Sequence, residues 1–324
     1  MEFKNFNSDY IGQIVELWNS SVVGHSIYKP FTDEYFREKF VKNPYFENDG
    51  FKCLFVEDEL VGYGHAIVNN NEAHPGFITL IAVDSKHQRK GYGRKILHEL
   101  ENYLKSKGKN LIRLYFMSPI NLEWYIPGTL ADHPGAPAVP YNSSYYFFLM
   151  NNGYVTNGQQ DAFYLDLEGY EVPEKVKMTE ARALENGYTI TIYDETKHHG
   201  FNELFKALNN QGWYDAVKNN LSKEKPDPML IVQKDGVILG WTGPMYPQAS
   251  GRGYFAGIGV HPEHQGHGLG KALFCELCYH SRLFGAKYMT YFTGADNLAR
   301  NIYLYAGSNI IQSFAIMRKE LKLK

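Results

Sequence analysis

The sequence predicts a mixed α/β protein made of two copies of one domain, and three observations support this. The chain has 324 residues, which is longer than most single hydrophobic cores. Residues 78–100 align without gaps on residues 255–277, and Gln265 follows Gln88 at an offset of 177 positions. In both halves, patterns typical of strands alternate with patterns typical of helices. We therefore expect two α/β domains, each with a mixed sheet.

The two copies have the same predicted order of elements. Helical patterns come first, then a strand hairpin, then the aligned strand and helix, and finally another strand. Each aligned helix ends at a glycine, Gly108 or Gly285, that favours the left-handed cap. In the first copy the predicted helices are 8–21 and 32–43, the hairpin is 52–68 and the last strand is 110–116. In the second copy the helical region is 199–220, the hairpin is 229–245 and the last strand is 287–293.

We place the domain boundaries in the middle of the chain. The N-terminal domain covers residues 1–167, a helical connector covers 168–187, and the C-terminal domain covers 188–324. The connector is assigned from one proline and a helix-prone stretch that ends at Asn186-Gly187. The first copy also carries an insertion at 118–141, which is rich in Pro and Gly and long enough to cover a site.

The composition argues against several classes of protein. The formal net charge is −2, from 33 Lys and Arg against 35 Asp and Glu, so we expect no nucleic-acid binding. The N-terminus lacks the apolar segment of a secretory signal, and the longest apolar run, YYFFLM at 145–150, is too short to span a bilayer. We therefore expect a cytoplasmic protein without a membrane partner. The three cysteines are expected to be buried and reduced.

The stretch HPEHQGHGLG at 261–270 raises a choice between a metal site and a phosphate site. Of its three histidines, only His264 has a counterpart in the first copy, which is His87. We therefore expect no metal site. Gly268 and Gly270 are matched by Gly91 and Gly93 at the start of an amphipathic helix. Glycines at a helix N-terminus let free N–H groups approach an anion, so the pattern suits a pyrophosphate. The Walker and dinucleotide-binding patterns do not fit.

Two six-residue segments, QRKGYG at 88–93 and QGHGLG at 265–270, resemble the acyl-CoA loop of the GNAT N-acetyltransferase superfamily. The resemblance covers nearly the whole chain as two copies and is closest in layout to tandem two-domain members such as mycothiol synthase. It implies a fold of two tandem GNAT acyl-CoA N-acyltransferase domains. It also implies acetyl-CoA, or a related acyl-CoA, as co-substrate and a primary amine as acceptor.

The resemblance implies which residues bind acetyl-CoA. Backbone amides of the loop would bind the pyrophosphate, and the preceding strand would lie along the pantetheine arm. In the second copy these residues are Ile258, Gly259, Val260, Gln265, Gly266, His267, Gly268, Leu269, Gly270 and Lys271, together with Asn297. In the first copy they are Ile81, Ala82, Val83, Gln88, Arg89, Lys90, Gly91, Tyr92, Gly93 and Arg94.

A second motif indicates which copy is catalytic. The superfamily pattern Asn-x-x-Ala-x-x-Leu-Tyr, followed by Gly four residues later, is similar to DNLARNIYLYAG at 296–307. The resemblance implies that Tyr303 protonates the leaving thiolate of CoA. In the first copy the tyrosine position is Leu149, and Tyr145 and Tyr146 are expected on other faces of the helix. We therefore expect a non-catalytic N-terminal domain.

The sequence leaves the rest of the chemistry open. Asp215, Asp227, Glu263 and His199 are candidates for the general base by residue type alone, and a water chain to solvent is an equal alternative. A small-molecule amine is favoured because no charged groove for a peptide is apparent. The alternative function is a non-catalytic acyl-CoA sensor or structural protein. Oligomeric state is not predicted.

Overall fold

The computed structural model describes residues 1–71, 73–114, 119–135 and 138–322. The chain divides into two compact units. Unit 1 contains Met1–Asp161 and Gln312–Lys324, and unit 2 contains Ala162–Ile311. None of the helices within these described ranges is long and apolar enough to cross a membrane.

Unit 1 begins with a strand and two helical segments, which precede the strand hairpin as predicted. Its helices are α1 (Ile11–Ser21), α2 (Asp33–Phe36, continuing as a π-helical turn to Val41), α3 (Tyr92–Ser106) and α4 (Ser144–Met150). Its strands before α4 are β1 (Glu2–Asn5), β2 (Phe51–Val56), β3 (Glu59–Ile67), β4 (Gly76–Val83), β5 (Leu111–Leu114), β6 (Trp124–Tyr125), β7 (Asp132–His133) and β8 (Val139–Pro140). Of the predicted strand 110–116, residues 115 and 116 lie outside the described residues.

The sheet of unit 1 is mixed. Strands β1 to β4 are antiparallel neighbours, whereas β4 and β5 are parallel. The far side of β5 pairs with the C-terminal strand β15 (Asn309–Glu320), through residues 317–320. Helix α3 packs so closely on β3 that a Cβ added at Gly64 would lie only 2.7 Å from Cγ2 of Ile96.

The insertion of unit 1 is partly ordered by strand pairing. Within the predicted range 118–141, β6 pairs with β7, and β8 pairs with β15. The Trp124 side chain is fully buried, and its indole N–H donates to the Gly135 carbonyl oxygen at 3.1 Å. Residues 118, 136 and 137 of this range lie outside the described residues.

Unit 2 repeats the same order of elements after one additional helix. The elements are β9 (Val155–Asp166, of which residues 162–166 belong to this unit), α5 (Glu174–Glu185), β10 (Thr189–Ile192), α6 (Phe201–Leu208), α7 (Gln211–Leu221), β11 (Leu230–Lys234), β12 (Val237–Gly243), β13 (Gly257–Val260), α8 (Leu269–Leu283), β14 (Tyr288–Gly294) and α9 (Ala299–Tyr305). Strands β10 to β13 form an antiparallel sheet, and β14 pairs with β9.

The helix ends and the cysteines agree with the sequence predictions. The C-cap residues of α3 and α8 are Lys107 and Phe284, and the following Gly108 and Gly285 have φ angles of 73° and 95°. All three cysteines are free and buried. The hairpins and the mixed α/β fold are also found.

The two compact units have different boundaries from the predicted domains, whose boundaries lie at 167 and 188. Residues 312–324 belong to unit 1, because β15 pairs with β5 there. The predicted connector segment contains α5, and this helix packs on α8 within unit 2.

Candidate active site

The two glycine loops have the same backbone geometry. In each unit a strand ends, a short 3-10 helix follows, and a glycine in the left-handed conformation begins the long helix. These glycines are Gly91, with φ 83°, and Gly268, with φ 75°. An L-residue other than glycine rarely adopts this conformation, so the sequence pattern has a direct backbone cause.

A glutamine side chain fixes each loop to the strand before it. In unit 2, Gln265 Nε2 donates to the carbonyl oxygen of Val260 at 3.1 Å. In unit 1, Gln88 Nε2 donates to the carbonyl oxygen of Val83 at 3.2 Å. The matched glutamines therefore shape the loops through a hydrogen bond back to the strand.

Both loops present backbone N–H groups that suit an anion. Among the described residues, no protein acceptor is bonded to the N–H groups of 89–91 or 266–268. These groups lie at the positive ends of the dipoles of α3 and α8, each 15 residues long. A Cβ added at Gly91 or Gly266 would meet no atom within 4 Å. The loops therefore fit a pyrophosphate, by charge and by open space.

The two loops differ in what lies beside them. A Cβ at Gly268 would lie 2.6 Å from Cγ2 of Thr179, which is on α5. Helix α5 thus covers one side of the loop in unit 2, whereas the corresponding side of Gly91 is open. The Arg89 backbone has φ 61°, where the second copy has Gly266 with φ 90°.

The strands before the loops border a cleft. In unit 1, the pairings of β4 with β5 among the described residues are Gly76 with Ile112 and Phe77 with Arg113, and residues 115–118 after β5 lie outside the described part of the chain. The predicted residues Ile81, Ala82 and Val83 follow at the end of β4. In unit 2, Ile258, Gly259 and Val260 lie on β13, which pairs with β12 alone. The parallel contact that corresponds to β4 and β5 is a single bridge from Arg252 to Tyr288.

Tyr303 lies on α9, and its neighbouring residue reaches the loop of unit 2. Ile302 Cδ1 would lie 3.5 Å from a Cβ at Gly270. The Tyr303 ring is 5% exposed and packs against Phe163, Phe274 and Tyr291, with ring centroids 4.3 to 5.3 Å apart. Burial raises the pKa of Tyr303 well above its ordinary value. The phenol is therefore protonated at neutral pH.

The remaining residues of the second motif have structural contacts. The Asn297 side-chain oxygen accepts from the Ala299 N–H at 2.9 Å and so forms a turn just before α9, whose N-cap residue is Leu298. In unit 1 the position that matches Tyr303 is Leu149 on α4, which is fully buried and has no hydroxyl group. Tyr145 lines a cavity between β4 and β5, which the sequence did not predict.

The histidines of the loop bind protein groups. His261 Nδ1 accepts from the Glu263 N–H at 3.3 Å, and His264 Nδ1 is 2.9 Å from the Tyr188 hydroxyl. Desolvation, with a contribution from His261, lowers the pKa of His264. The described part of the chain contains no group of three or more metal-ligating side chains placed to bind a metal.

The candidate general bases have local contacts. Asp215 accepts from Gln211 at 2.8 Å and pairs with Lys218 at 3.1 Å, all on α7. Asp227 pairs with Lys223 at 2.5 Å. Glu263 is exposed on the loop. The His199 backbone bonds to residues 236 and 238 at the hairpin of β11 and β12.

The family model described as "Acetyltransferase (GNAT) family" matches residues 14–123 and 190–307. The two matched regions together cover more than half of the chain. The chain belongs to the GNAT acetyltransferase family. Its two GNAT repeats contain the two glycine loops. The tandem GNAT interpretation from the sequence is thereby confirmed.

Solved structures show the same fold at low sequence identity. A GCN5-related N-acetyltransferase from Sphaerobacter thermophilus has a TM-score of 0.64 and 15% identity, covering 98% of this chain and 95% of its own. A tandem GNAT protein from the clavulanic acid biosynthesis pathway has a TM-score of 0.57 and 14% identity, covering 98% of both chains. A glucosamine N-acetyltransferase region of a fungal β-N-acetylglucosaminidase has a TM-score of 0.66 and 15% identity, covering 98% of this chain. This chain spans 38% of the length of that multi-domain protein. No curated protein matches the sequence.

Proposed function

We propose that this GNAT acetyltransferase transfers the acetyl group of acetyl-CoA directly to a primary amine of a small molecule. Catalysis is assigned to unit 2. The single observation that carries this proposal is the placement of Tyr303 on α9, with its ring packed against Phe274 of α8, the helix that begins at the glycine loop. Leu149 of unit 1 has no proton to donate at the matching position.

Tyr303 acts as the general acid in this proposal. The amine nitrogen forms a bond to the thioester carbonyl carbon, the carbon–sulfur bond breaks, and Tyr303 donates its proton to the departing thiolate. The phenol is protonated at neutral pH, as an ordinary tyrosine is, and burial raises its pKa further. The ammonium form of the acceptor first loses a proton, through one of the candidate bases or through water.

The loop of unit 2 supplies the binding groups for the co-substrate. Of the predicted backbone N–H groups of 265–271, those of 266–268 have no protein acceptor among the described residues and bind the pyrophosphate with the support of the α8 dipole. The strand of Ile258, Gly259 and Val260 lies beside the pantetheine arm. The matching groups of unit 1 are residues 88–94 and 81–83.

An aromatic side chain beside β13 is a candidate for the acceptor pocket. The half-buried Trp213 indole lies directly against Gly257, where only a glycine leaves it room. Trp213 is on α7, in the segment NQGWYD at 210–215. A flat apolar surface next to the cleft suits a small organic amine better than an extended charged peptide.

The test is release of free thiol from acetyl-CoA with a panel of primary amines. Wild type is expected to turn over at least one amine, and Tyr303→Phe is expected to reduce kcat by about 10²- to 10⁴-fold, as for loss of a general acid. The matched control is Tyr193→Phe, a half-buried tyrosine of unit 2 on a different surface. Equal, near-zero turnover of wild type and Tyr303→Phe on every amine, with CoA still bound, supports the sensor function instead.

A further inference from the structure

Three aromatic rings enclose the ring of Tyr303, and each comes from a different element. They are Phe163 of β9, Phe274 of α8 and Tyr291 of β14. The Tyr291 ring is the nearest of the three, with its centroid 4.3 Å from that of Tyr303. Because close-packed side chains leave little free space, the direction of the Tyr303 hydroxyl depends on where these rings are fixed.

The Tyr291 ring is fixed by a hydrogen bond of its hydroxyl. The hydroxyl is bonded to Ser308 Oγ, and either oxygen can donate. Tyr291 and Ser308 are 3% and 4% exposed, so water does not replace this bond when it is lost. Phe163 and Phe274 have no hydroxyl and are held by apolar packing. Of the three rings, Tyr291 is therefore the one whose position a polar contact determines.

Ser308 is also bonded to Tyr303, through the backbone. The Ser308 N–H donates to the Tyr303 carbonyl oxygen at 3.1 Å. The bond crosses Gly307, whose φ of 94° is that of a left-handed residue after a helix. Tyr303, Tyr291 and Ser308 thus form a contact triangle, in which each residue touches the other two. Supporting contacts of this kind hold a functional side chain in one rotamer.

Unit 1 has the backbone part of this arrangement. Leu149 matches Tyr303, and Tyr154 at the same spacing matches Ser308. The Tyr154 N–H donates to the Leu149 carbonyl oxygen, also at 3.1 Å. This helix end therefore forms in both units, and it does not require the side chains of the contact triangle.

The side-chain part differs in unit 1. At the position of Tyr291, at the offset of 177 residues, unit 1 has Leu114. Leu114 and Leu149 have no hydroxyl, and the Tyr154 hydroxyl donates to the Glu101 carboxylate at 3.0 Å instead. The paired hydroxyls thus accompany a tyrosine at the motif position, in the unit to which catalysis is assigned.

We infer that Tyr291 and Ser308 are positioning residues for Tyr303. Their hydrogen bond fixes the Tyr291 ring, and this ring directs the Tyr303 hydroxyl toward the departing sulfur of CoA. The inference rests on the proposed function, because it takes Tyr303 to be the general acid. A displacement of about 1 Å in a reacting group can reduce the rate about 10²-fold, whereas binding of the co-substrate at the glycine loop does not involve these side chains.

The test is steady-state kinetics of Tyr291→Phe and Ser308→Ala with an amine that the wild type acetylates. Each variant is expected to lower kcat about 10- to 100-fold and to change KM for acetyl-CoA by less than about twofold. Each also leaves one buried hydroxyl without its partner, so the melting temperature is expected to fall. The matched control is Tyr288→Phe, also on β14, whose hydroxyl donates to Ser250 Oγ at 3.0 Å. The Tyr288 ring packs on Tyr164, and kcat of this control is expected to stay within about twofold of wild type.

The double variant distinguishes positioning from a merely structural role. Tyr291→Phe combined with Ser308→Ala removes both hydroxyls, so neither is left buried without a partner. Its melting temperature is expected to return close to that of wild type. The ring at position 291 still lacks its hydrogen bond, so kcat is expected to remain at the level of the single variants.

Three results would overturn the inference. They are a kcat of either single variant within about twofold of wild type, an equal loss of kcat in Tyr288→Phe, and a double variant that regains kcat together with its melting temperature. Tyr303→Phe separates this failure from failure of the proposed function. If Tyr303→Phe keeps wild-type turnover, the proposed function fails. If Tyr303→Phe lowers kcat while the Tyr291 and Ser308 variants do not, only the inference fails.

Discussion

The two glycine loops are alike in sequence and backbone but differ in their surroundings. Each has a glutamine bonded to the preceding strand, and each has a left-handed glycine at the start of a 15-residue helix. Beside Gly91 there is open space, whereas beside Gly268 there is Thr179 of α5. Only the second loop has a tyrosine, Tyr303, in register on the following helix. The comparison teaches that both loops have the backbone geometry proposed to bind an anion, while Thr179 of α5 and Tyr303 distinguish the two units.

The largest expected effect follows from a negative charge in each loop. Gly91→Glu and Gly268→Glu place a carboxylate and a strained backbone at the two proposed pyrophosphate sites, so each is expected to remove one equivalent of CoA in calorimetry. Gly12→Glu is the control, because Gly12 lies on α1 with open space around it. A wild-type stoichiometry of one would show that one of the loops does not bind CoA.

The next effect concerns stability and depends on α5. Gly91→Ala is expected to lower the free energy of unfolding by about 1–2 kcal/mol, because an L-residue is strained in the left-handed conformation. Gly268→Ala is expected to cost roughly 1–3 kcal/mol more, because the new Cβ overlaps Cγ2 of Thr179 at 2.6 Å. Thermal unfolding of both variants measures the difference.

A double-mutant cycle with Thr179→Ala identifies the cause of that difference. Removing Cγ2 eliminates the overlap, since the Thr179 Cβ is 3.9 Å from the same position. We expect Gly268→Ala to become nearly as mild as Gly91→Ala in this background. Additive effects of the two substitutions would show that α5 does not restrict Gly268.

The contact of α5 with α8 also has a pH dependence. Burial raises the pKa of Glu180 from 4.5 to about 7, and the nearby Glu276 carboxylate adds to the shift while Lys177 opposes it. Between pH 4.5 and about 7 the folded chain binds a proton that the unfolded chain releases, so stability falls as pH rises through this window.

Melting temperatures across this pH range test the assignment. Glu180→Gln is expected to reduce the downward slope and to be more stable than wild type at pH 8. Glu185→Gln, an exposed residue near the end of the same helix, is expected to keep the wild-type slope. If Glu180→Gln keeps that slope as well, another group is responsible for it.

Local features of this fold could be predicted from the sequence, and long-range ones could not. Gly91, Gly108, Gly268 and Gly285 were identifiable because a left-handed residue at a helix end has a local cause. The place of residues 312–324 in unit 1 depends on pairing with β5, about 200 positions away in the chain. No sequence spacing indicates such a pairing.

The candidate site shows the same limit. The expectation that Tyr145 lies on a different helix face from Leu149 is wrong, because both are on α4 and residues four apart lie on the same face of a helix. The sequence around Thr179 likewise does not indicate its role, because that role comes from its close approach to Gly268 at the start of α8.

The smallest expected effect concerns the feature that the loops share most closely. Gln88→Ala and Gln265→Ala each remove one hydrogen bond, of 3.2 and 3.1 Å, from the side chain to a strand carbonyl oxygen. Each is expected to cost at most about 1 kcal/mol, because water can replace the lost donor at a loop. Calorimetric unfolding is expected to give similar values for both, since the bond is the same and does not involve α5. If Gln265→Ala lowers the free energy of unfolding several times more than Gln88→Ala, the packing of α5 also depends on the shape of the loop. The two loops would then differ in their contribution to stability as well as in the open space beside them.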